Sequence, residues 1–240
     1  MPRAEAGGGA DVQLARTFAE IARVLVAEAG VQATLDRIAV TAVSTVDGCE
    51  GAGISVVERG RIHTAAASDD LPRRVDAIQY EVGEGPCLDA IKDHDVFHTD
   101  DLSRERRWPH FAARAAQETG VRSVVAFRLF VDHETMGAVN LFSTREAAFD
   151  DDDVRIGTLF AAHAAVALSA ARKEEQLEHA VASRDVIGQA KGILMVRENV
   201  DEHRAFEILI RASQRLNVKL REVAARVVGQ DEPGLGAQGD

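Results

Sequence analysis

The sequence predicts an α+β fold: an antiparallel sheet with flanking helices, a long connecting helix, and a C-terminal module of three helices. Pairs of short β-type segments joined by polar turns, at 53–67 and at 123–143, indicate the sheet. Apolar residues at helical spacing before, between and after these pairs indicate the helices. Hairpins and helices in separate runs, rather than strictly alternating, are typical of an α+β domain.

The N-terminal half supplies the predicted sheet and the helices around it. Two helices end near Gly30 and Gly48, since glycine commonly follows the last helical turn. Arg59-Gly60 joins the first two strands, and a polar turn at 132–134 joins the last two. The later elements in chain order are strands at 53–58 and 61–67, a segment at 83–93, a strand at 96–98, a helix at about 109–119, and strands at 123–131 and 136–143.

A long helix is predicted to follow the sheet. The acidic run at 150–153 can cap it and favours the positive end of the helix dipole. No proline interrupts the chain from Val154 to about Ser183. An imperfect heptad pattern along this helix, broken by His163 and Lys173, predicts pairing with a second copy in a homodimer. The alternative is that the helix packs on the sheet of its own chain, which we expect for the first half of the helix. The pattern consists of Leu159, Val166, Ala170, Leu177 and Ala180.

These patterns divide the chain into four predicted segments. Residues 1–12 and 229–240 are rich in small and polar residues and are predicted to be disordered tails. Residues 13–172 form the sheet domain, whose connecting helix begins near residue 154, and residues 173–228 form the helical module.

Charge is spread unevenly over these segments. The formal net charge of the chain is −11, which argues against broad, nonspecific nucleic-acid binding. Residues 177–228 nevertheless contain nine Lys or Arg against seven Asp or Glu. No apolar run of about 18 residues and no signal peptide are recognised, so a cytoplasmic protein with no membrane partner is expected. Two cysteines are too few for a disulfide scaffold.

The helical module combines an apolar interior with a cationic exterior. Ile187, Ala190 and Leu194 share one helix face, and Phe206, Leu209 and Ile210 are predicted to meet it from the second helix. Offsets of 7 and 11 residues place three arginines of the second helix in one stripe. Such a surface can contact phosphates and unpaired bases, although a solvated charged face gives the same pattern. The basic and polar candidates are Arg184, Lys191, Arg204, Arg211, Arg215, Asn217, Lys219 and Arg221.

The spacing of these residues resembles the ANTAR domain, an RNA-binding module of bacterial transcription antiterminators. The residues that carry the resemblance are Ile187, Gln189-Ala-Lys-Gly-Ile-Leu-Met195, Ala205-Phe206, Leu209, Leu220 and Val223-Ala224. The resemblance implies a dimer that binds paired RNA stem-loops and favours antitermination. It places Ala190, Lys191, Gly192 and the basic residues of the second and third helices on the RNA surface. The choice of Arg211, Arg215, Lys219 and Arg221 rests on their expected exposure.

The preceding domain resembles a GAF domain of the kind found in GAF-ANTAR regulators. The residues that carry the resemblance are Gly83-Glu-Gly-Pro-Cys-Leu-Asp-Ala90, Arg107-Trp-Pro109 with Phe111, Gly120-Val-Arg-Ser123 and Gly137-Ala-Val-Asn-Leu-Phe142. The resemblance implies a small-molecule pocket on one face of the sheet, under 83–93 and 107–111. Its expected ligand-binding residues are Glu84, Cys87, Trp108 and Phe111.

Several alternatives stay open on the sequence. The histidines and aspartates at 93–101 suggest a metal site only if their side chains converge. Cys87 follows a Gly-Pro turn and is either a redox thiol, as in a GAF-type methionine sulfoxide reductase, or a buried packing residue. Three small helices also suit a DNA-binding regulator or a protein scaffold. We expect a signal-responsive, RNA-binding regulator and no enzyme, with no catalytic residues, metal or cofactor.

Overall fold

The structure is a computed structural model that describes residues 7–93 and 96–229. The chain divides after Lys173 into two compact units. The first helix, α1, spans Gly7–Val26 and so begins inside the segment predicted to be a disordered tail over 1–12. The rest of that prediction, residues 1–6, lies outside the described residues, as does 230–240 of the predicted C-terminal tail.

The first unit is built on a five-stranded sheet in which every neighbouring pair is antiparallel. The strand order is β2-β1-β5-β4-β3, so the two sequence hairpins lie side by side and the short strand closes one edge. The α+β prediction is therefore confirmed. The strands are β1 (Gly51–Glu58), β2 (Arg61–Ala67), β3 (Phe97–Thr99), β4 (Ser123–Val131) and β5 (Glu134–Ser143).

Side-chain alternation gives the sheet two differently used faces. In β1, Ile54 and Val56 point to one face and Ser55 to the other. The first face packs against α1, α2 (Val31–Thr45) and the first part of α6 (Asp151–Glu198), where it forms the main apolar core. The largest fully buried side chains of this core are Leu25, Ile38, Ile54, Phe127, Leu129, Leu141, Phe160 and Leu168.

Three helices cover the second face, namely α3 (Asp70–Val82), α4 (Pro86–Asp93) and α5 (Pro109–Thr119). The sequence reasoning missed α3, although its ends carry recognisable signals. The Asp69 carboxylate accepts a hydrogen bond from the Leu71 amide at the start, and Gly83 ends the helix in the left-handed conformation. A second apolar cluster, which includes Trp108 and Phe111, fills the space between α3, α5 and the sheet.

Helix α6 begins where the acidic run predicted it. The Asp150 carboxylate accepts hydrogen bonds from the amides of Asp152 and Asp153 at 2.8 and 3.0 Å, which confirms an N-cap in this run. By length and composition α6 is apolar enough to cross a membrane, which the sequence reasoning overlooked because much of this stretch is alanine. However, 44% of its most apolar 18 residues are buried inside the protein, as in a core helix. At Gly157 an added Cβ would overlap the Phe127 ring, so α6 lies very close to β4.

The second unit contains the end of α6, α7 (Glu202–Leu216) and α8 (Leu220–Val228). Asp201 caps α7, as predicted, by accepting a hydrogen bond from the Arg204 amide at 2.8 Å. One core prediction is wrong, because Phe206 is 38% exposed while its neighbour Ala205 is fully buried. Ala205 and Leu209 are four residues apart and occupy the inner face of α7, which turns Phe206 toward solvent. The buried core consists of Ala190, Leu194, Ala205, Leu209, Val223 and Ala224.

Candidate functional site

The second unit carries the predicted cationic surface on the outside of its three helices. The arginines at 204, 211 and 215 are all exposed along α7, and their 7- and 11-residue offsets place them on one face. Asn217 ends α7 in the left-handed conformation, with a φ of 52°. Arg184, Asn217, Lys219 and Arg221 are exposed as well.

Part of this surface is paired with carboxylates. Lys191 Nζ lies 2.5 Å from Glu202 Oε1, and the contact lowers the pKa of Glu202. The guanidiniums of Arg204 and Arg211 share Glu207 Oε2, at 2.7 and 3.0 Å. These carboxylates are well exposed, and ion pairs at such positions contribute little stability and exchange readily with another anion.

Four other cations of the predicted RNA surface have no such pairing. Among residues 7–93 and 96–229, no carboxylate oxygen lies within 4 Å of a charged nitrogen of Arg184, Arg215, Lys219 or Arg221. The cations remain available to phosphate groups.

Two small residues that the resemblance assigned to the RNA surface differ in position. Ala190 is fully buried in the three-helix core, so its side chain does not reach the surface. Gly192 is exposed, and a Cβ added there would meet no atom within 4 Å among the described residues. Packing within this part of the chain therefore does not explain a helix-weakening glycine at 192.

In the first unit, the face under α3 and α4 holds a connected set of polar side chains, here called the buried polar cluster. At its centre, the Asp76 carboxylate accepts hydrogen bonds from Thr64 Oγ1, Gln79 Nε2 and Asn140 Nδ2 at 2.8, 3.0 and 3.1 Å. Desolvation raises the pKa of Asp76 to about 7, because these neutral donors only partly offset burial. The cluster consists of Ser55, Thr64, Asp76, Gln79, Tyr80, Cys87 and Asn140.

Hydrogen bonds continue from this centre to every neighbouring element. Tyr80 OH lies 3.0 Å from Thr64 Oγ1 and 2.7 Å from Ser55 Oγ. Ser55 Oγ also accepts from Cys87 Sγ at 3.1 Å and from Asn140 Nδ2 at 3.0 Å. The cluster thus joins α3 and α4 to strands β1, β2 and β5 through side chains alone.

The four predicted ligand-binding residues lie in different surroundings. Cys87 belongs to the buried polar cluster, whereas Trp108 and Phe111 lie in the apolar cluster beneath α5. All three are at most 2% exposed. Trp108 Nε1 donates to Asp89 Oδ2 at 2.6 Å, and Glu84 accepts from the His110 amide at 3.0 Å. These groups hold α4 and α5 together in the present conformation.

Both cysteine thiols are held in the protonated form. Burial raises the pKa of Cys49 and of Cys87 to about 12. The thiolate is the nucleophilic form of cysteine, so neither residue is activated in this conformation.

Residues 93–101, with two histidines and four aspartates, contain the metal-binding candidates of the sequence. His98 Nε2 lies 3.1 Å from Asp100 Oδ1, and Asp101 accepts from Ser103 and Arg122. His94 and Asp95 lie outside the described residues. Within the described residues, no group of three or more His, Cys, Asp or Glu side chains is placed to hold a metal ion.

The buried polar cluster was missed by the sequence reasoning, although a signal was present. Ser55 and Asn140 interrupt β1 and β5 among apolar residues, and their partners were not recognised because α3 was not predicted. An isolated polar residue in a buried strand needs a hydrogen-bond partner, which could have directed the search to the missing helix.

Family models match both parts of the chain. Residues 28–169 match the model described as GAF domain, and residues 175–228 match the ANTAR domain. Among curated proteins, none matches this sequence.

Solved structures share the fold of the first unit at low sequence identity. The free methionine-R-sulfoxide reductase from Neisseria meningitidis, solved with its substrate, has a TM-score of 0.53 at 18% identity, covering 67% of this chain and 91% of that one. The GAF domain of an Acinetobacter phosphoenolpyruvate-protein phosphotransferase has a TM-score of 0.51 at 13% identity, with 68% and 95% covered. The reduced reductase of Staphylococcus aureus has a TM-score of 0.51 at 13% identity, with 65% and 94% covered. These similarities show the fold alone.

Proposed function

Because the chain belongs to the GAF domain family and carries an ANTAR domain after its GAF domain, we propose that it is a signal-responsive, RNA-binding regulator of transcription antitermination. The exposed cationic surface of the ANTAR domain is the observation that supports this proposal most directly. Arg184, Arg215, Lys219 and Arg221 are exposed and are free of carboxylate partners within the described residues. Such groups bind phosphates, while neighbouring polar side chains read unpaired bases.

The proposed ligand is a pair of RNA stem-loops bound by a homodimer. A module of three short helices offers few contacts, and linking two modules raises their combined affinity without new contacts. Large apolar side chains are exposed along α6 in both units, with Leu159 and Val166 in the first and Leu177 and Val181 in the second. These residues support pairing of α6 with its copy, as the heptad pattern predicts.

The proposed input is a small molecule or partner that changes how α3 and α4 pack on the sheet. In the present conformation the buried polar cluster fills the space between these helices and the sheet. A ligand that replaces part of this cluster would favour a different packing of α3 and α4 on the sheet. Such a ligand shifts the equilibrium between the two packings only if it binds one of them more tightly than the other. The regulator would then change how the two ANTAR domains present their RNA surfaces. Both domain types are consistent with a cytoplasmic protein.

Selection of bound transcripts from a total RNA pool tests the RNA proposal. We expect enrichment of transcripts that contain two neighbouring stem-loops. Lys191→Ala combined with Arg215→Ala should weaken binding of the selected RNA by at least about tenfold, because two phosphate contacts are lost. Both residues lie outside the apolar core, so the variant should keep its helical circular dichroism and its unfolding transition.

A matched control removes the same charge from the GAF domain. Lys92→Ala combined with Arg73→Ala alters one exposed lysine and one exposed arginine far from the cationic surface in sequence, and should leave RNA affinity unchanged. Equal losses in both double variants would mean that only net charge matters. Normal affinity in folded Lys191→Ala/Arg215→Ala would reject the proposed surface, and preference for duplex DNA would favour a DNA-binding regulator.

A redox enzyme is not favoured as a second function. The fold similarity to methionine sulfoxide reductases is below 20% identity. Burial keeps both thiols protonated, whereas reductase chemistry by cysteine needs an accessible thiolate.

A further inference from the structure

The ANTAR domain contains a groove of about 500 Å³ beside the exposed ring of Phe206. Lys191, Asp201, Glu202 and His203 form the rest of its lining. Small-molecule sites commonly have volumes of about 300–1,000 Å³, so the groove is large enough for a single aromatic heterocycle. The cationic surface described above is therefore accompanied by a concave site.

The aromatic ring in this groove is not required by the core. Ala205 and Leu209 fill the inner face of α7, and 38% of Phe206 remains exposed. The Lys191 ammonium lies 5.9 Å from the centre of the Phe206 ring. Proteins that bind unpaired bases combine an exposed aromatic ring with a neighbouring cation, because every base has a flat face that stacks.

The charges in the groove favour a base over a phosphate. Two carboxylates, those of Asp201 and Glu202, line it with a single lysine. A phosphate placed among them would be repelled, whereas a neutral base carries no such penalty. The Glu202 side chain is 70% exposed and pairs only with Lys191 among the described residues, so its oxygens can accept from a base amino group.

We propose that this groove holds one unpaired base of the RNA, with the face of the base stacked on Phe206. This inference rests on the proposed function, since it assumes that the module binds RNA. The base edge lies toward Glu202. Lys191 exchanges its contact with Glu202 for the phosphate of the same nucleotide, which lies outside the groove and away from the two carboxylates. The groove supplies base recognition, and the surrounding arginines and lysines supply the sequence-independent affinity.

Removing loop bases one at a time tests the proposal. The probe is a synthetic copy of the tightest-binding stem-loop pair from the transcript selection, made with one abasic site at each loop position in turn. We expect one position at which base removal weakens binding to the natural protein by roughly 5- to 100-fold, the range for one stacked base. Phe206→Leu should weaken binding of the intact RNA by a similar factor. In this variant, base removal at that one position should cause no further loss of affinity, whereas the effects at the other positions should be unchanged.

Two further variants separate stacking from other roles of the ring. Phe206→Tyr keeps an aromatic face and should retain the abasic-site penalty. Leu216→Ala removes an exposed apolar side chain of the same helix and should change neither affinity nor penalty. Circular dichroism and molar mass, measured for every variant, report folding and assembly.

Three results would overturn the proposal. One is an abasic profile that is the same in Phe206→Leu as in the natural protein. Another is conversion of Phe206→Leu to a monomer, since the ring would then belong to an interface between copies. The third is failure of the natural protein to bind any selected RNA, which alone would also reject the proposed function.

Discussion

The GAF and ANTAR domains treat their polar side chains in opposite ways. The GAF domain holds a carboxyl, an amide pair, two hydroxyls, a phenol and a thiol in buried or half-buried positions, where they bond to one another across five secondary-structure elements. The ANTAR domain buries only apolar side chains in its core and leaves most of its charged groups exposed. A change in the first set must alter how helices pack on the sheet, whereas a change in the second alters binding and leaves the fold intact.

The largest effect that would sharpen this comparison is the pH dependence of GAF domain stability. The pKa of Asp76 is raised to about 7 in the folded protein, compared with an ordinary value of 3.8. The folded state therefore binds a proton that the unfolded state has released. The free energy of unfolding should fall as pH rises from about 4 to 7, by at most about 4 kcal/mol. Fluorescence of Trp108, the sole tryptophan, reports this transition during urea unfolding.

Asp76→Asn provides the control for that measurement. Asparagine mimics the neutral carboxyl, because its amide can donate to Thr64 while its oxygen still accepts from Gln79 and Asn140. The fall in stability between pH 4 and 7 should become much smaller in this variant. An unchanged slope would show that other groups cause the pH dependence.

The next largest effect concerns two glycines in one helix. Gly157→Ala should destabilise the GAF domain by about 1–3 kcal/mol, because the new methyl group overlaps the Phe127 ring. Gly188 lies in the same helix but in the second unit, where an added Cβ would meet no described atom within 4 Å. Gly188→Ala should therefore stabilise the ANTAR domain by up to about 1 kcal/mol. Unfolding followed by Trp108 fluorescence and by circular dichroism separates the two domains. If Gly157→Ala proved neutral, α6 would not be held tightly on β4.

The smallest expected effect is that of a substitution at Gly192, which tests whether contact with a partner explains a glycine at this exposed position. Gly192→Ala should stabilise the ANTAR domain by up to about 1 kcal/mol, as Gly188→Ala does. It should also weaken RNA binding several-fold if the RNA or a second copy approaches the helix closely at 192. Titration of both alanine variants with the selected RNA makes the comparison. Identical affinities would remove Gly192 from the binding surface.

Sequence reasoning predicted the sheet and the ANTAR helices well because their signals are local. Arg59-Gly60 marks a hairpin within a few residues, and Asp201 marks the start of α7. The prediction that Phe206 lies in the core was wrong. Phe206 and Ala205 are adjacent in α7, and hydrophobicity alone favours burying the larger of the two side chains. The chain of hydrogen bonds through Asp76 was also missed, since it joins residues from 55 to 140 that meet only after folding.

The hydrogen bonds around Asp76 also constrain how this sequence can drift over evolutionary time. Losing one partner would strand a buried donor or acceptor, at a cost of about 1–3 kcal/mol. Neutral change is therefore easiest when several positions are exchanged together. Relatives should fall into groups that either keep Ser55, Asp76, Gln79 and Asn140 as a set or replace the set with apolar residues, and mixed combinations should be rare.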